Sequence, residues 1–333
     1  MIPHPGVLFS SSPQDCDINE KVMALTFLCL YIMLFIPALL LNGAAAWVSL
    51  HIPAKSTFIL YLKNLIATDL LTTLTIPLMA SADLPGVPKE LKAFACRYSD
   101  VLFYFSMYIN ILLMGLISLD RFFKIVQPFG RLLCQTLAFG ATLSASMWIL
   151  LFSGTVVPTV ILTNQRPANA SGNNCMALKS PAGVDVHEFI IFSNQIMFWA
   201  VCLLTVFCYA CIAKKVLQSY RSSGSSNDEG RRKTRVRVFI VLVVFFVCFV
   251  PYHAVRVPYT QLQTNGGHVC KKASLRIAKK FFLWLSTSHV CLDPLIYIYL
   301  CRPFRERLRE IWRPLLLHPQ NNNATNDANI VLC

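Results

Sequence analysis

The chain has 333 residues, of which 55% are hydrophobic and only 14% are charged. An ordinary soluble domain carries about 25% charged residues, so this chain has too little polar surface to coat a globule in water. Lysine and arginine number 30 against 16 aspartates and glutamates, a formal net charge of +14. The long apolar runs exclude a nucleic-acid-binding module. The composition indicates an integral membrane protein whose basic residues lie at the membrane surfaces.

Seven stretches of the chain are long and apolar enough to cross a membrane as helices, which takes about 20 residues each. Prolines inside several of them do not argue against helices, because packed membrane helices tolerate proline, usually with a kink. The sequence therefore predicts an all-α membrane protein, a seven-transmembrane helix bundle. Its predicted spans are Val22–Leu50, Phe58–Ala82, Cys96–Leu119, Leu137–Leu162, Phe189–Ala213, Val236–Val257 and Phe281–Leu300.

The distribution of lysine and arginine orients this bundle, because basic loops tend to stay in the cytoplasm. More of these residues lie on the inner side if the N-terminus is outside, and the glycosylation sequon at Asn169 then falls in an extracellular loop. We expect a multi-pass protein of the plasma membrane, in contact with its lipids. Its predicted parts are an extracellular N-terminus (1–21), the seven-helix domain (22–300), a short amphipathic inner helix (301–313) and a disordered cytoplasmic tail (314–333).

Most of the 13 cysteines fall inside predicted spans, where a thiol acts as a small apolar group. Four fall on the outer side, and an even number in an oxidising compartment predicts two disulfides, with three pairings open. We expect Cys96 to bond Cys175, which would hold the second outer loop across the bundle, and Cys16 to bond Cys270. Cys301, just after span seven, is a candidate for palmitoylation.

Polar and aromatic residues recur at particular places in the spans. They are Asn42, Asp69, the run Asp120-Arg121-Phe122, Trp148, Tyr209, FFVCFVPYH (Phe245–His253) and DPLIY (Asp293–Tyr297). In order and spacing this set resembles the motifs of class A, rhodopsin-like G-protein-coupled receptors over nearly the whole chain. The resemblance implies a receptor and not an enzyme, with a heterotrimeric G protein, arrestin and receptor kinases as partners. It also implies a coupling switch, in which Arg121 pairs with Asp120 at rest, made by Asp120, Arg121, Tyr209 and Tyr297.

Two acidic residues, Asp69 and Asp293, lie inside predicted spans. A charge is costly there unless it is paired or hydrated, so both side chains should face the bundle interior. The family resemblance implies that they hold an allosteric sodium ion together with Asn110, although His289 stands where the family usually has asparagine. A buried polar network without an ion is the alternative.

Basic and aromatic residues gather near the outer ends of the spans. His253 and Arg256 are three residues apart and share a helical face in span six. Cations beside aromatic rings suit an aromatic ligand that carries phosphates. The other members of this set are Tyr104 and Tyr108 in span three, Tyr259 in span six, Lys279 at the start of span seven, and Lys179 and His187 in the second outer loop.

The runs STFILYLKN, VLFYFSMY, FFVCFVPYHAVRVPYT and LDPLIY resemble the purinergic nucleotide receptors, in the branch that responds to ADP or UDP-sugars through inhibitory Gi proteins. By this resemblance, Tyr104 and Tyr108 contact the base or ribose. Lys280 departs from the branch by placing a cation where an acid is usual, which favours more phosphate charge on the ligand or a different anion. We expect ADP, with a UDP-sugar or a lysophospholipid as alternatives. The residues implied to contact phosphate are Arg256, Lys279, Tyr259, His187 and Lys179.

Three other classes of membrane protein fit the sequence less well. A transporter is commonly built from repeated halves, and the chain shows no such repeat. An intramembrane aspartyl protease would need a glycine-rich context around its two acids, and Asp69 and Asp293 lack it. An opsin-like pigment would need a lysine in the middle of span seven, where Ser286, Thr287 and Ser288 stand.

Overall fold

The computed structural model describes residues 19–127, 136–164, 175–222, 228–264, 269–301 and 304–310. The described residues form helices joined by short connections, and none of them lies in a β-strand. Predictions for Cys16, Asn169 and the tail 314–333 fall outside the described residues, as does the side chain of Cys270.

Seven of the described helices are long and apolar enough to cross a membrane, which confirms the predicted fold class. The seventh span consists of two helices, α7 (Val269–Thr287) and α8 (His289–Leu300), which are separated by Ser288. A short helix over residues 304–310, α9, follows it, with Phe304 buried at its start, as predicted. The longer helices are α1 Glu20–Leu50, α2 Thr57–Ala82, α3 Lys89–Val126, α4 Leu137–Leu162, α5 Pro181–Ser222, α6 Asp228–Thr264, α7 Val269–Thr287 and α8 His289–Leu300.

Several helices extend beyond the spans that hydropathy predicts. Helix α3 begins at Lys89 and α5 at Pro181, earlier than expected. Hydropathy marks where a helix leaves the apolar layer, whereas the helix itself can continue into water. The start of α5 has a local cause, because Ser180 Oγ accepts a hydrogen bond of 3.2 Å from the Gly183 amide and caps the helix. His187 therefore lies in α5, and its expected place in the outer loop was wrong.

Cap residues begin other helices in the same way. The side chain of Asn19 accepts a hydrogen bond from the Val22 amide at the start of α1, and Ser56 accepts one from the Ile59 amide at the start of α2. Each cap satisfies a backbone donor that the first turn leaves free. These local signals determine where α1 and α2 begin.

Helix α3 is at the centre of the bundle and α4 is at its edge. Within the most apolar window of each span, 72% of the residues are buried in α3 and only 6% in α4. Polar side chains join the helices, since Trp148 Nε1 donates to Asn64 Oδ1 at 3.1 Å and Asn42 Nδ2 donates to the Val290 carbonyl at 2.6 Å. The central position of α3 lets one helix contribute to both ends of the bundle and to its middle.

Candidate ligand-binding and switch sites

A disulfide between Cys96 in α3 and Cys175 marks one end of the bundle, called here the disulfide end. The bond is the one that the sequence predicts. Ala93 and Leu178 are buried around it. The disulfide thereby holds the short helical turn Cys175–Leu178 against the start of α3, and Lys179 directly follows this turn at the mouth of the bundle.

Arg256 projects from α6 into the bundle and is only 6% exposed. Its guanidinium donates a hydrogen bond to the hydroxyl of Tyr252, one turn earlier in the same helix. The guanidinium carbon lies 4.8 Å from the centre of the Tyr104 ring. Aromatic rings and a hydroxyl therefore hold the cation in place inside the bundle, away from lipid.

His253 forms a layer below Arg256. Its ring is fully buried and stacks on Phe198 with the ring centres 3.7 Å apart, and the Tyr108 ring meets it edge-on at 5.8 Å. Gln195 Nε2 donates to the His253 carbonyl at 2.8 Å and joins α5 to α6 at the same level. Two predicted site residues, Tyr108 and His253, thus pack face to edge beneath the cation.

The remaining predicted cations converge on the same place from three further segments. Lys279 Nζ lies 4.7 Å from the centre of the Tyr259 ring. His187 interacts electrostatically with Lys179, Arg256 and Lys279. The structure therefore brings together the whole predicted set, called here the cationic cup: Tyr104, Tyr108, Lys179, His187, His253, Arg256, Tyr259 and Lys279.

Lys179 is a lysine of the cup whose charge depends on its surroundings. Its Nζ donates a hydrogen bond of 3.2 Å to Thr163 Oγ1. Burial lowers the pKa of Lys179 to about 8, and the nearby carboxylate of Asp100 opposes that shift. Because burial desolvates the amine and no acid among the described residues forms an ion pair with it, a bound anion would stabilise its charged form.

Two residues that contact or face the cup were missed from the sequence. Tyr252 is fully buried and binds Arg256, and its spacing of four residues from Arg256 was the available signal. Asp100, one turn after Cys96, interacts electrostatically with Lys279 and Lys179. An acid this close to the expected phosphate site was not anticipated, since nothing local to Asp100 shows which lysines face it.

Lys280 has a different role from the one expected. Its Nζ lies 2.8 Å from Asp83 Oδ2 at the end of α2. Arg276, one turn earlier, pairs with Glu20 of α1 at 2.7 Å. These two ion pairs, called here the rim pairs, balance the charge of Lys280 outside the cup, so its presence does not add phosphate-binding charge.

The buried acids meet in the middle of the bundle. Asn110 Nδ2 donates to Asp69 Oδ1 at 2.7 Å and to Asp293 Oδ2 at 3.3 Å, and Tyr297 OH donates to Asp69 Oδ2 at 2.7 Å. Asp293 Oδ1 and Asn110 Oδ1 are buried without a hydrogen-bond partner among the described residues. These oxygens are suitable ligands for sodium, but His289 Nε2, 3.7 Å from Asp69 Oδ1, is not. The sodium site stays a prediction.

The predicted switch residues lie at the opposite end of α3. Asp120 accepts a hydrogen bond of 2.5 Å from Thr57 and forms an ion pair of 2.8 Å with Lys124, and neither partner was predicted. The Arg121 guanidinium lies over the Phe58 ring at 3.7 Å. Tyr209 is buried in an apolar cluster that joins α5, α6 and α8. The Tyr297 hydroxyl bonds Asp69, and the Tyr297 ring meets Phe304 of α9 edge-on with the ring centres 6.4 Å apart.

Seven membrane helices, a disulfide at the start of the third and an Asp-Arg pair at its other end define a class A receptor. Residues 42–297 match the family described as 7 transmembrane receptor (rhodopsin family), and the chain belongs to this family. Its members are receptors and not enzymes, so the predicted class is confirmed.

Individual relatives narrow the assignment within the family. Human purinoceptor 13 is 41% identical over 321 residues, which cover 96% of this chain and 90% of the relative. Bovine purinoceptor 14 is 38% identical over 299 residues, covering 90% of this chain and 87% of the relative. Mouse G-protein coupled receptor 87 is 36% identical over 298 residues, covering 89% of this chain and 82% of the relative. The predicted resemblance to purinergic receptors is confirmed.

Proposed function

We propose that this chain is a plasma-membrane receptor that binds extracellular ADP in the cationic cup and signals through a Gi-type G protein to lower cAMP. The observation that supports the ligand class is the convergence of Arg256, Lys279, Lys179 and His187 among tyrosine rings at the disulfide end. The names of the two purinoceptor relatives point to the same class of ligand.

The chemistry of the cup suits a nucleoside diphosphate. Arg256 is buried, and its Nε has no hydrogen-bond partner among the described residues. A guanidinium can bind phosphate through two parallel hydrogen bonds. The aromatic side chains around Arg256 hold its guanidinium in a fixed position for such binding. Lys279 and Lys179 approach from other segments and can contact the remaining phosphate oxygens. Tyr104 and Tyr108 lie on α3 beside Arg256 and His253, and we propose that the base or ribose packs against this part of α3.

A ligand held in the cup would act on the position of α6. Arg256 and Tyr259 belong to α6, and Lys279 belongs to α7, so one diphosphate would draw the outer ends of both helices together. Pro251 interrupts the hydrogen bonding of α6 below Arg256 and allows its other half to move separately. We propose that this movement opens a cleft beside Arg121 and Tyr209 for the G protein. The ligand then shifts a population between two states and undergoes no reaction itself.

This mechanism places the disulfide end outside the cell and the Asp120 end inside. By family resemblance, arrestin and receptor kinases would bind the same inner end after activation. An epitope placed at Met1 tests the orientation. It should bind antibody on intact cells without permeabilisation, and binding only after permeabilisation would overturn the assigned orientation.

A UDP-sugar is the second candidate ligand. Asp100 faces the lysines of the cup, and a carboxylate accepts hydrogen bonds from sugar hydroxyls. ADP lacks the second sugar that a UDP-sugar would present to such an acceptor. Asp100 would thus give the second sugar of a UDP-sugar a hydrogen-bond acceptor, which makes the UDP-sugar the second candidate.

A ligand panel tests the proposal directly. ADP, ATP, UDP, UDP-glucose and lysophospholipids are applied to cells that express the chain, and inhibition of cAMP formation is measured. We expect ADP to act at the lowest concentration. A stronger response to UDP-glucose would select the second candidate, and a response to lysophospholipids alone would overturn the nucleotide assignment.

The Arg256→Ala variant tests the site. Loss of a buried, charge-assisted contact costs about 1.5–3 kcal/mol, so ADP potency should fall roughly 10- to 100-fold. Arg276→Ala is the matched control, because Arg276 lies at the same end but pairs with Glu20. Equal potency of ADP on Arg256→Ala and on the unaltered receptor would remove Arg256 from the site.

A further inference from the structure

Three potential metal-ligand atoms converge in the middle of the bundle, below the cationic cup. They belong to Asp69 in α2 and to His289 and Asp293 in α8, and they lie within 4.8 Å of one another. All three side chains are fully buried. The cluster therefore combines two buried carboxylates with one imidazole.

The hydrogen bonding of His289 leaves one of its ring nitrogens available to a cation. Its Nδ1 lies 2.6 Å from the Ser286 carbonyl oxygen. A carbonyl can only accept a hydrogen bond, so Nδ1 carries the hydrogen and donates it. In the neutral ring Nε2 then has a free electron pair. It is buried, has no hydrogen-bond partner among the described residues, and faces Asp69 Oδ1 at 3.7 Å.

The carboxylates are held in position by hydrogen bonds from outside the triad. Asn110 donates to both Asp69 and Asp293, and Tyr297 donates to the second oxygen of Asp69. Asp293 Oδ1 remains without a hydrogen-bond partner among the described residues. A metal-binding histidine ordinarily donates its other N–H to a carbonyl or carboxylate, and metal-binding carboxylates are themselves hydrogen-bonded. The surroundings of this triad match both features.

We propose that Asp69, His289 and Asp293 bind a divalent transition metal ion, with Zn²⁺ as the probe of this class. Imidazole nitrogen and carboxylate oxygen together suit such ions, whereas sodium prefers oxygen alone. A charge of +2 also balances both carboxylates, and buried charges require such pairing. Tetrahedral bonds of about 2.0–2.1 Å place two ligand atoms about 3.3 Å apart, close to the 3.7 Å between Nε2 and Asp69 Oδ1.

The metal would connect helices that belong to different parts of the bundle. Asp69 lies in α2 and the other two ligands lie in α8, while Asn110 brings α3 into the same network. An ion bound here would stabilise the folded arrangement of these three helices, whichever ligand occupies the cup. The proposed metal site is therefore separate from the cationic cup, and metal binding there does not depend on which nucleotide the cup binds.

Thermal unfolding of the purified full-length receptor tests the proposal. The melting temperature is measured in metal-free buffer with EDTA, with added ZnCl₂ and with added NaCl. Zinc at a hundred times its dissociation constant should raise the melting temperature by about 5 °C. His289→Asn should lose the zinc shift and gain a sodium shift, because an amide oxygen replaces the imidazole nitrogen.

Two further measurements separate binding from a folding defect. His51→Asn removes an exposed histidine that directly follows α1 and should keep the full zinc shift. Zinc X-ray absorption of the unaltered receptor should show one nitrogen and two or more oxygen neighbours, and this measurement needs no variant. An equal zinc shift in His289→Asn, or no zinc shift in the unaltered receptor, would overturn the proposal. In the second case a sodium shift would establish the sodium site instead, and the absence of both shifts would establish a polar network.

Discussion

The cationic cup and the rim pairs lie at the same end of the bundle and use the same residue types in opposite ways. Lys279 and Lys280 are neighbours in α7, yet Lys279 lies over the Tyr259 ring and Lys280 is paired with Asp83. Likewise Arg256 is held by aromatic side chains, whereas Arg276 is paired with Glu20. Aromatic rings position a cation without cancelling its charge, so it remains available to an anion. A carboxylate cancels that charge and leaves a structural contact.

The sharpest test of this contrast is the neighbouring pair in α7. Lys279→Gln should lower ADP potency by about 10- to 100-fold, because a charged hydrogen bond to phosphate contributes about 1.5–3 kcal/mol. Lys280→Gln should change it by less than about twofold, since an exposed ion pair contributes about 0–1 kcal/mol and does not contact ligand. Radioligand displacement on membranes measures both. Equal losses in the two variants would contradict the contrast.

The pH dependence of binding tests the charge of Lys179. Its pKa of about 8 means that the free receptor loses this charge as pH rises through 8. The phosphate second pKa of about 6 leaves the ligand fully ionised in that range. ADP affinity should therefore fall by up to about 10-fold between pH 7 and pH 9. Lys179→Arg should bind ADP with little change over the same range, because arginine stays protonated.

Removal of the carboxylate of Asp100, the acid beside the cup, should raise ADP potency, whereas the lysine variant Lys279→Gln should lower it. Asp100→Asn removes a negative charge near Lys179 and Lys279. ADP potency should rise by about 3- to 10-fold, as expected for one partly screened charge at an effective dielectric constant of about 20. UDP-glucose potency should not rise in parallel if Asp100 accepts a sugar hydroxyl. Asp185→Asn, which alters an acid at the exposed start of α5, serves as the control.

The smallest effect is expected from exchange of a rim pair. Asp83→Lys alone should lower the free energy of unfolding by up to about 1 kcal/mol, and combination with Lys280→Asp should restore most of it. Thermal unfolding of the two single variants and the double variant measures this coupling. ADP potency should be nearly the same in the double variant and the unaltered receptor. A loss of potency in the double variant would show that the rim also contributes to the cup.

Prediction from the sequence was most successful where the signal is local. The seven spans follow from apolar length, and the shared face of His253 and Arg256 follows from helical spacing. The start of α5 could also have been read from Ser180 followed by Pro181, a cap and a first-turn proline. Hydropathy alone places the start of this helix too late, which is why His187 lies in α5 and not in the loop that hydropathy predicts.

Partnership between distant residues was beyond the sequence. Asp83 and Lys280 are 197 positions apart, and Lys280 read alone looked like an additional phosphate ligand. Thr57, 63 positions before Asp120, was likewise an unexpected partner, whereas Lys124 follows Asp120 by one helical turn, a spacing that the sequence does show. The acid beside the cup, Asp100, could not be recognised for the same reason. Such pairs depend on how helices pack, and a single sequence contains no direct signal of that.

The sequence by itself determined that this protein is a seven-helix membrane bundle, because the length and polarity of each span are properties of consecutive residues, and its motifs carried the resemblance to class A receptors. It also determined which side chains carry charge. Only the tertiary structure decided which of those charges are cancelled and which remain open to a ligand. Electrostatic energy depends on distance and burial in three dimensions, so Arg256 in its aromatic surroundings remains open to an anion, whereas Arg276 beside Glu20 does not.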